Sequence, residues 1–167
     1  MIRQVCDMNR ILIIGCPGSG KSTFARKLAA KTGLRLIYLD MMWHRSDRTT
    51  VSPEEFDGQL ESVLNGERWI IDGNYIRTLP RRLSKCDTVF YFDLPVETCL
   101  AGAMERLGKP RVDMPWSDDV MDDEFRQWIL NFNRDQAPLI EIMLTNYKRT
   151  TVVFKSRDEA DRYIASL

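Results

Sequence analysis

Residues 15 to 22 have the sequence GCPGSGKS, which fits the pattern G-x-x-x-x-G-K-[ST]. In this pattern the backbone amides of a glycine-rich turn surround a phosphate, the lysine reaches the β- and γ-phosphates of a nucleoside triphosphate, and the last hydroxyl ligates Mg²⁺. A glycine-rich turn that only joins two elements is the alternative. We predict that ATP or GTP binds with Mg²⁺, and that the binding residues are Gly15, Pro17, Gly18, Ser19, Gly20, Lys21, Ser22 and Thr23.

Three aspartates, Asp40, Asp72 and Asp93, each follow a short apolar stretch that predicts a buried strand. The carboxyl ends of parallel strands meet at the edge where ligands bind in α/β proteins. Asp72 is therefore predicted to hold Mg²⁺ together with Ser22 and to belong to the substrate-binding residues, and an Asp-Gly turn without a ligand is its alternative. Asp40 is predicted to bind substrate and take part in catalysis, and its alternative is an aspartate that caps the next segment.

A cluster of arginines follows Asp72, in the stretch WIIDGNYIRTLPRRL at positions 69 to 83. Phosphoryl transfer requires cations around the phosphate oxygens and little covalent chemistry from the protein. Arg77 and Arg81 are therefore predicted to bind the acceptor substrate. Because Arg81 and Arg82 are adjacent, they cannot both face one ligand from a helix, and one of them is expected in solvent.

The elements that must position these residues alternate between strand and helix. Helical spacing predicts a helix over 21–31 that ends at Gly33, and SPEEF at 52–56 supplies a serine N-cap with proline in the first helical position. Strands alternating with helices form a parallel sheet with right-handed crossovers, so the sequence predicts an α/β fold in one domain, 1–167. Short apolar runs predict the strands, at 10–14, 34–39, 69–71, 88–92 and 150–154.

The long connection between the fourth and fifth predicted strands contains the proline-rich stretch GKPRVDMPW at 108–116. We interpret this stretch as a mobile flap rather than a domain linker. A helix follows from about residue 122. Its Phe125, Trp128 and Phe132 lie at helical spacing and are predicted to belong to the core.

Segments over most of the chain resemble the adenylate kinases. WIIDGNYIRT is similar to their D-G-F-P-R-T segment, and FRQWILNFNRDQAPLIEIM is similar to their R-x-x-L-x-x-Y…T-A-P-L-I helix pair. VFYFDLPVETCLAGAMERLGKPR resembles their fourth strand and the helix that delivers the first lid arginine. The combination of LIYLDMMWHR, RWIIDGNYIRTLPRRL and RVDMPW looks more closely like the bacterial DNA topology modulation proteins, which belong to the same nucleoside and nucleotide kinase group.

This resemblance implies a three-layer P-loop NTPase fold, with five parallel strands in the order 2-3-1-4-5, helices on both faces and a short lid at about 108–120. It implies that Arg106 and Arg111 bind ATP from the lid and that Arg126 and Arg134 close on the transferred phosphoryl group, with Arg106 and Arg126 catalytic. It also places Arg77 at the acceptor. The alternative for Arg126 is that it only flanks the apolar face of its helix and has no role in catalysis.

The chain departs from the adenylate kinases at two places near the predicted acceptor site. Asn74 and Tyr75 replace a Phe-Pro pair, and residues 40–50 do not look like an AMP-binding segment. Trp43 and His44, within that segment, are predicted to line an acceptor pocket, and their alternatives are a capping aromatic and a satisfied histidine. A hydroxyl acceptor would use Asp40 as a base, whereas a phosphate acceptor would use Arg77, and both alternatives stay open.

The composition excludes several other classes of function. Lysine plus arginine equals aspartate plus glutamate at 24 each in 167 residues, so the chain has no global basic field to hold nucleic acid. Cysteines 6, 16, 86 and 99 form no C-x-x-C pair, one histidine cannot complete a usual zinc set, and no secretory leader is evident. We therefore expect reduced thiols and a cytoplasmic protein without a membrane segment.

These observations predict an ATP-dependent kinase that uses Mg²⁺ and acts on a nucleoside, a nucleotide or a similar polar metabolite. The alternative is a nucleotide-dependent regulatory protein that affects DNA topology without metabolite kinase activity. The expected partners are ATP and a small acceptor, and direct binding of nucleic acid is not expected.

Overall fold

The structure is a computed structural model that describes residues 8–167, so Cys6 lies outside the described residues. Five parallel strands form one sheet in the order β2-β3-β1-β4-β5, which confirms the predicted α/β fold and strand order. The strands are β1 (Arg10–Gly15), β2 (Leu36–Tyr38), β3 (Trp69–Asp72), β4 (Thr88–Phe92) and β5 (Thr150–Phe154).

Strand β1 lies at the centre of the sheet because its residues can be buried on both faces. Its aliphatic run from Ile11 to Ile14 has no exposed surface, and neighbouring β3 and β4 are buried along their whole length. Strand β5, at an edge, is partly exposed. Continuous apolar runs on central strands and a mixed pattern on an edge strand are typical of a parallel sheet with helices on both faces.

The direction of the crossovers places the helices on the two faces. The chain moves one way along the sheet from β1 to β2, and the other way from β2 to β3, β4 and β5, so right-handed connections put α1 opposite α3, α4 and α8. Helix α9 packs on α1, and α4 packs on α8. The helices are α1 (Lys21–Thr32), α2 (Leu39–Trp43), α3 (Pro53–Leu64), α4 (Leu79–Lys85), α5 (Val96–Met104), α6 (Asp123–Leu130), α7 (Phe132–Asp135), α8 (Ala137–Tyr147) and α9 (Arg157–Ser166).

A cluster of aromatic rings fixes α1 on the sheet. The ring of Phe24 lies 4.9 Å from that of Phe90, 5.4 Å from that of Phe92 and 5.2 Å from that of Phe154, measured between ring centroids. Tyr163 of α9 joins the cluster through Phe90, at 5.1 Å. This packing holds the first turn of α1, which carries the phosphate-binding pattern, at the carboxyl ends of β1 and β4.

The second strand is shorter than predicted. Strand β2 pairs only with β3, and its last residue, Tyr38, lies opposite the last residue of β3, Asp72. Beyond that point the backbone has no strand to pair with, and the chain turns at once into the short helix α2. Asp40 therefore lies in the first turn of α2 instead of ending a strand.

The prediction that Phe125 and Trp128 belong to the core is wrong, whereas Phe132 is buried. Each of the first two rings is 37% exposed, and Ile129 supplies the buried contact of α6. The helix is interrupted at Asn131, and Phe132 begins the separate helix α7. The face of α6 that carries Phe125 and Trp128 borders a cavity.

Candidate active site

The glycine-rich segment forms a loop between β1 and α1, and α5 packs closely against it. Gly18 has φ of 80°, and a Cβ atom there would lie 1.9 Å from the carbonyl oxygen of Cys99 on α5. Only glycine fits this contact. Helix α1 begins at Lys21, whose Nζ donates to the carbonyl of Cys16 at 3.1 Å. The loop thus presents a helix N-terminus and a lysine, the arrangement that binds phosphate in this motif.

Asn74 holds the start of this loop from the neighbouring strand. Its Oδ1 accepts from the backbone N–H of Gly15 at 2.9 Å, and its Nδ2 donates to the Gly15 carbonyl at 2.7 Å. Sequence reasoning recognised Asn74 only as a departure from the adenylate kinases. The missed signal was an amide side chain just beyond the end of a strand that pairs with β1.

Arg82 fixes the backbone that carries Asn74. Its guanidinium is fully buried and donates to the carbonyls of Gly73, at 2.8 Å, of Asn74, and of Tyr75, at 3.0 Å. Burial lowers the pKa of Arg82 to about 9. Of the adjacent arginines, Arg81 is therefore the exposed one and Arg82 is a structural residue.

Ser22 lies between two carboxylates. Its hydroxyl is 2.5 Å from Oδ2 of Asp72 and 3.2 Å from Oδ2 of Asp113. Burial raises the pKa of Asp72 to about 6, and its Oδ1 has no hydrogen-bond partner among the described residues. Burial also acts to raise the pKa of Asp113, but hydrogen bonds and charge from Arg111 outweigh it, and the net shift is downward.

These oxygens fit Mg²⁺, which prefers hard oxygen ligands and usually takes only one or two carboxylates from the protein. Within residues 8–167, no cluster of three or more His, Cys, Asp or Glu is arranged to hold a metal. Ser22, Asp72 and Asp113 would therefore supply a partial set that phosphate oxygens complete. Asp113, which is buried, was missed from the sequence because nothing in its local sequence distinguishes it from the exposed aspartates.

The segment 105–122, which joins α5 to α6, lies over the loop and contains the predicted lid. Arg111 donates to both carboxylate oxygens of Asp113, at 3.2 and 2.8 Å. Trp116 packs edge-on against His44, with ring centroids 5.0 Å apart. The segment therefore contacts both the start of α1, through Asp113 and Ser22, and the region after α2.

Two cavities meet at the loop. The first, which we call the P-loop cleft, has a volume of about 310 Å³ and includes Gly18, Gly20, Thr23 and Arg157 in its lining. The second has a volume of about 570 Å³, and we call it the aromatic cavity because Trp116, Phe125 and Trp128 belong to its lining. Four residues line both of them: Lys21, Ser22, Arg106 and Asp113.

Arg106 is the cation at this junction that has the fewest partners. Its Nε is buried and has no hydrogen-bond partner among the described residues. Burial and the neighbouring charge of Arg111 lower its pKa. A buried guanidinium nitrogen without an acceptor costs free energy, and a phosphate group at the junction would supply the missing acceptor.

Asp40 and His44 line the aromatic cavity, as do Pro17, Asp72 and Arg111. Asp40 accepts a hydrogen bond from the Tyr75 hydroxyl at 2.8 Å, and burial together with the Asp40 charge raises the pKa of Tyr75. The tyrosine therefore remains a donor that orients the carboxylate. Tyr75, Trp116, Phe125 and Trp128 also line this cavity and were not predicted as site residues.

Several predicted site residues lie elsewhere. Arg77 is exposed and binds Asp57 through two hydrogen bonds, of 3.0 and 2.6 Å, and Arg81 lies 3.9 Å from the same carboxylate. Trp43 packs on Phe56 at 5.5 Å, beside the core. The remaining ones, which line neither cavity, are Gly15, Ser19, Arg126 and Arg134.

Comparisons with known proteins agree with this architecture. No protein-family model matches the chain, and no curated protein matches its sequence. A shikimate kinase from Bacteroides thetaiotaomicron superposes with a TM-score of 0.63 at 17% identity, over 95% of each chain. A shikimate kinase from Acinetobacter baumannii, solved in complex with shikimate, gives 0.64 at 17% identity, over 96% of this chain and 93% of the other.

The chain has the fold of the shikimate kinases. These are P-loop kinases of the adenylate-kinase-like type, so the broader predicted resemblance is confirmed at the level of the fold. The predicted closeness to DNA topology modulation proteins gains no support from the comparisons. In the part of the chain that the structure describes, no helix is long and apolar enough to span a membrane.

Proposed function

We propose that the protein is an ATP-dependent kinase that transfers the γ-phosphoryl group of Mg-ATP to a hydroxyl group of a small polar acceptor. One observation carries this proposal: Lys21, Ser22, Arg106 and Asp113 line both the P-loop cleft and the aromatic cavity. Residues at such a junction can contact a donor on one side and an acceptor on the other. Catalysis of phosphoryl transfer depends mainly on this kind of positioning and on charge stabilisation.

The P-loop cleft is the proposed site of ATP. The loop amides and Lys21 would hold the phosphates, and Ser22, Asp72 and Asp113 would hold Mg²⁺, which neutralises phosphate charge when bound. Arg157 donates to the carbonyl of Gly18 at 2.8 Å and closes the far side of the cleft. Arg106 would stabilise charge on the transferred group, because its guanidinium lies at the junction with Nε unpartnered among the described residues.

The aromatic cavity is the proposed site of the acceptor, and its lining favours a hydroxyl over a phosphate. Arg77, which a phosphate acceptor would require, is exposed and bound to Asp57. Asp40 lines the cavity and is oriented by Tyr75. In the proposed reaction the acceptor oxygen bonds to the γ-phosphorus, the bond from that phosphorus to the oxygen kept by ADP breaks, and Asp40 takes the hydroxyl proton.

A screen for transfer of label from γ-labelled ATP to a library of small alcohols and phosphates tests this function. With an acceptor in hand, Asp40→Asn should lower kcat by about 10²-fold or more, the scale of general-base catalysis. Arg77→Ala should leave kcat close to that of the wild type, because Arg77 lies away from the cavity. Full activity of Asp40→Asn with loss of turnover in Arg77→Ala would instead identify a phosphate acceptor.

Lys21→Ala is the control for the donor side. It should remove about 2 to 4 kcal/mol of transition-state stabilisation, the usual contribution of one group that binds developing charge. Unchanged turnover in this variant would contradict the proposed role of the loop. Absence of ATP binding in the wild type would contradict the kinase proposal as a whole.

A further inference from the structure

Aromatic side chains from several parts of the chain line the aromatic cavity, and four of them form two pairs. Phe125 and Trp128 project from one face of α6 with their rings nearly parallel, at an interplanar angle of 10° and a centroid distance of 6.4 Å. His44 and Trp116 form a second pair, from the end of α2 and from the segment 105–122. Exposed, parallel aromatic faces are surfaces on which a flat ring can stack.

The charges of the same lining separate into two zones. Lys21 and Arg106 lie at the junction with the P-loop cleft, and Arg111 is bound to Asp113. The rest of the lining contains carboxylates and, among the described residues, no lysine or arginine. Those carboxylates are Asp40, Asp72, Asp118 and Asp122.

Each of these carboxylates already accepts a hydrogen bond, but only one of those bonds comes from a cation among the described residues. Asp118 pairs at 3.1 Å with the exposed Arg48, which lies over the outer side of Trp116 at 5.4 Å from the ring centroid and offsets the charge of Asp118. Asp122 accepts from an uncharged donor, the backbone N–H of Phe125, at 2.7 Å as the N-cap of α6, and keeps its charge. Within residues 8–167, the cations of the lining lie at the junction or are bound to Asp113, so none of them is left to bind a second anionic group of an acceptor. Such a group would lie beside carboxylates and would be repelled, which is how a site rejects a ligand of the wrong charge.

We infer that the acceptor is an alcohol that carries a flat ring without negative charge, either neutral or cationic, and that this ring binds in the aromatic cavity. This inference rests on the proposed function. The ring stacks on Phe125 and Trp128, and the hydroxyl reaches Asp40 at the edge of the P-loop cleft. The volume of about 570 Å³ is within the range of sites for small organic molecules. Carboxylate or phosphate groups on the acceptor weaken its binding, in contrast to the anion shikimate that accompanies the Acinetobacter baumannii kinase.

Binding is measured by quenching of tryptophan fluorescence, because Trp116 and Trp128 line the cavity. A saturating non-hydrolysable ATP analogue fills the P-loop cleft and prevents probes from binding there. The probes are matched pairs of one ring compound without and with a phosphate, adenosine with AMP and cytidine with CMP, together with the cationic ring alcohol thiamine and the anion shikimate. We expect an uncharged or cationic probe to bind at least about 10-fold more tightly than its anionic counterpart or shikimate.

Two variants test the two parts of the inference. Trp128→Leu should weaken binding of the ring probe by about 5-fold or more, the lower end of the effect of removing a stacking aromatic. Its control is Ile142→Ala, which truncates an exposed apolar residue that lines neither cavity. Asp122→Asn keeps an N-cap side chain and removes the charge, so binding of the anionic probe should improve. Asp123→Asn, on the next residue and outside the lining, is the matched control.

The outcomes separate this inference from the proposed function. Transfer of phosphate from ATP to shikimate or to a nucleoside monophosphate, as fast as to any uncharged alcohol, would overturn the inference and leave the kinase proposal standing. Binding of uncharged rings in the expected pattern without transfer to any of them would support the ligand class and contradict the kinase proposal. If no ring compound binds, or if Trp128→Leu binds as tightly as the wild type, the inference is wrong.

Discussion

Replacing Asn74 by alanine tests how the phosphate loop is held in place. The side chain makes two hydrogen bonds to the backbone of Gly15, of 2.9 and 2.7 Å, and Gly15 is buried. Asn74→Ala leaves one buried donor and one buried acceptor without partners. Each such group costs about 1 to 3 kcal/mol, and partial relaxation recovers some of it. We therefore expect the free energy of unfolding to fall by about 2 to 4 kcal/mol.

Urea unfolding measures this loss directly, and thermal unfolding should show a midpoint lower by roughly 5 to 15 °C for a chain of this size. ATP affinity, measured by titration with a fluorescent analogue, should fall as well, because Gly15 begins the loop. Asn146→Ala is the matched control, since Asn146 is exposed on α8 and its side chain makes no hydrogen bond within residues 8–167. If both variants unfold at the same urea concentration, Asn74 does not hold the loop and the reasoning is refuted.

Three further predictions concern pH, the lid and DNA. Burial raises the pKa of Asp72 from 3.8 to about 6. Between pH 3.8 and about pH 6 the native state therefore binds more protons than the unfolded state, so the contribution of Asp72 to the free energy of unfolding falls as the pH rises through this range. The stability of Asp72→Asn relative to the wild type should therefore increase from about pH 4 to pH 6 in urea unfolding, and a constant difference would contradict the assignment. Amide hydrogen exchange in 108–120 should slow when a non-hydrolysable ATP analogue binds, because we expect this segment to close over ATP, and unchanged exchange would remove the lid prediction. Duplex DNA should not bind with submicromolar affinity in about 150 mM salt, because the balanced charge leaves few phosphate contacts. Detection of such binding in a gel-shift or anisotropy assay would favour the alternative of a regulatory protein that affects DNA topology.

The fold could be predicted because its signals are local and repeated. Each central strand is a short apolar run, each helix between strands has its own spacing, and the caps are encoded in adjacent residues. Ser52 accepts from the N–H of Glu55 at 3.1 Å, as the motif SPEEF predicts, and Ser156 accepts from that of Glu159 at 3.2 Å. The strand order followed from the resemblance, and the superposition on the shikimate kinases confirms it.

The site was predictable only in part, because an arginine's position in the chain does not fix where its long side chain ends. The resemblance to the adenylate kinases placed both Arg77 and Arg106 at the site, and the arginine cluster after Asp72 also pointed to Arg77. The first binds the half-buried Asp57 on the surface, and the second lies at the junction of the two cavities. The helical spacing of Phe125 and Trp128 predicts that they share a face, but it does not predict what that face meets.

The sequence by itself determined the phosphate loop, since its chemistry depends on consecutive backbone amides and on Lys21 and Ser22 next to them. It also determined the layered α/β fold, because apolar periodicity limits how each segment can be buried. Tertiary structure decided which distant side chains meet at that loop. Asp113 reaches Ser22, 91 positions away in the chain, only because the segment 105–122 folds back over α1. The packing of α6 likewise leaves the rings of Phe125 and Trp128 at a cavity, since burial depends on which surface a helix packs against and not on its spacing alone.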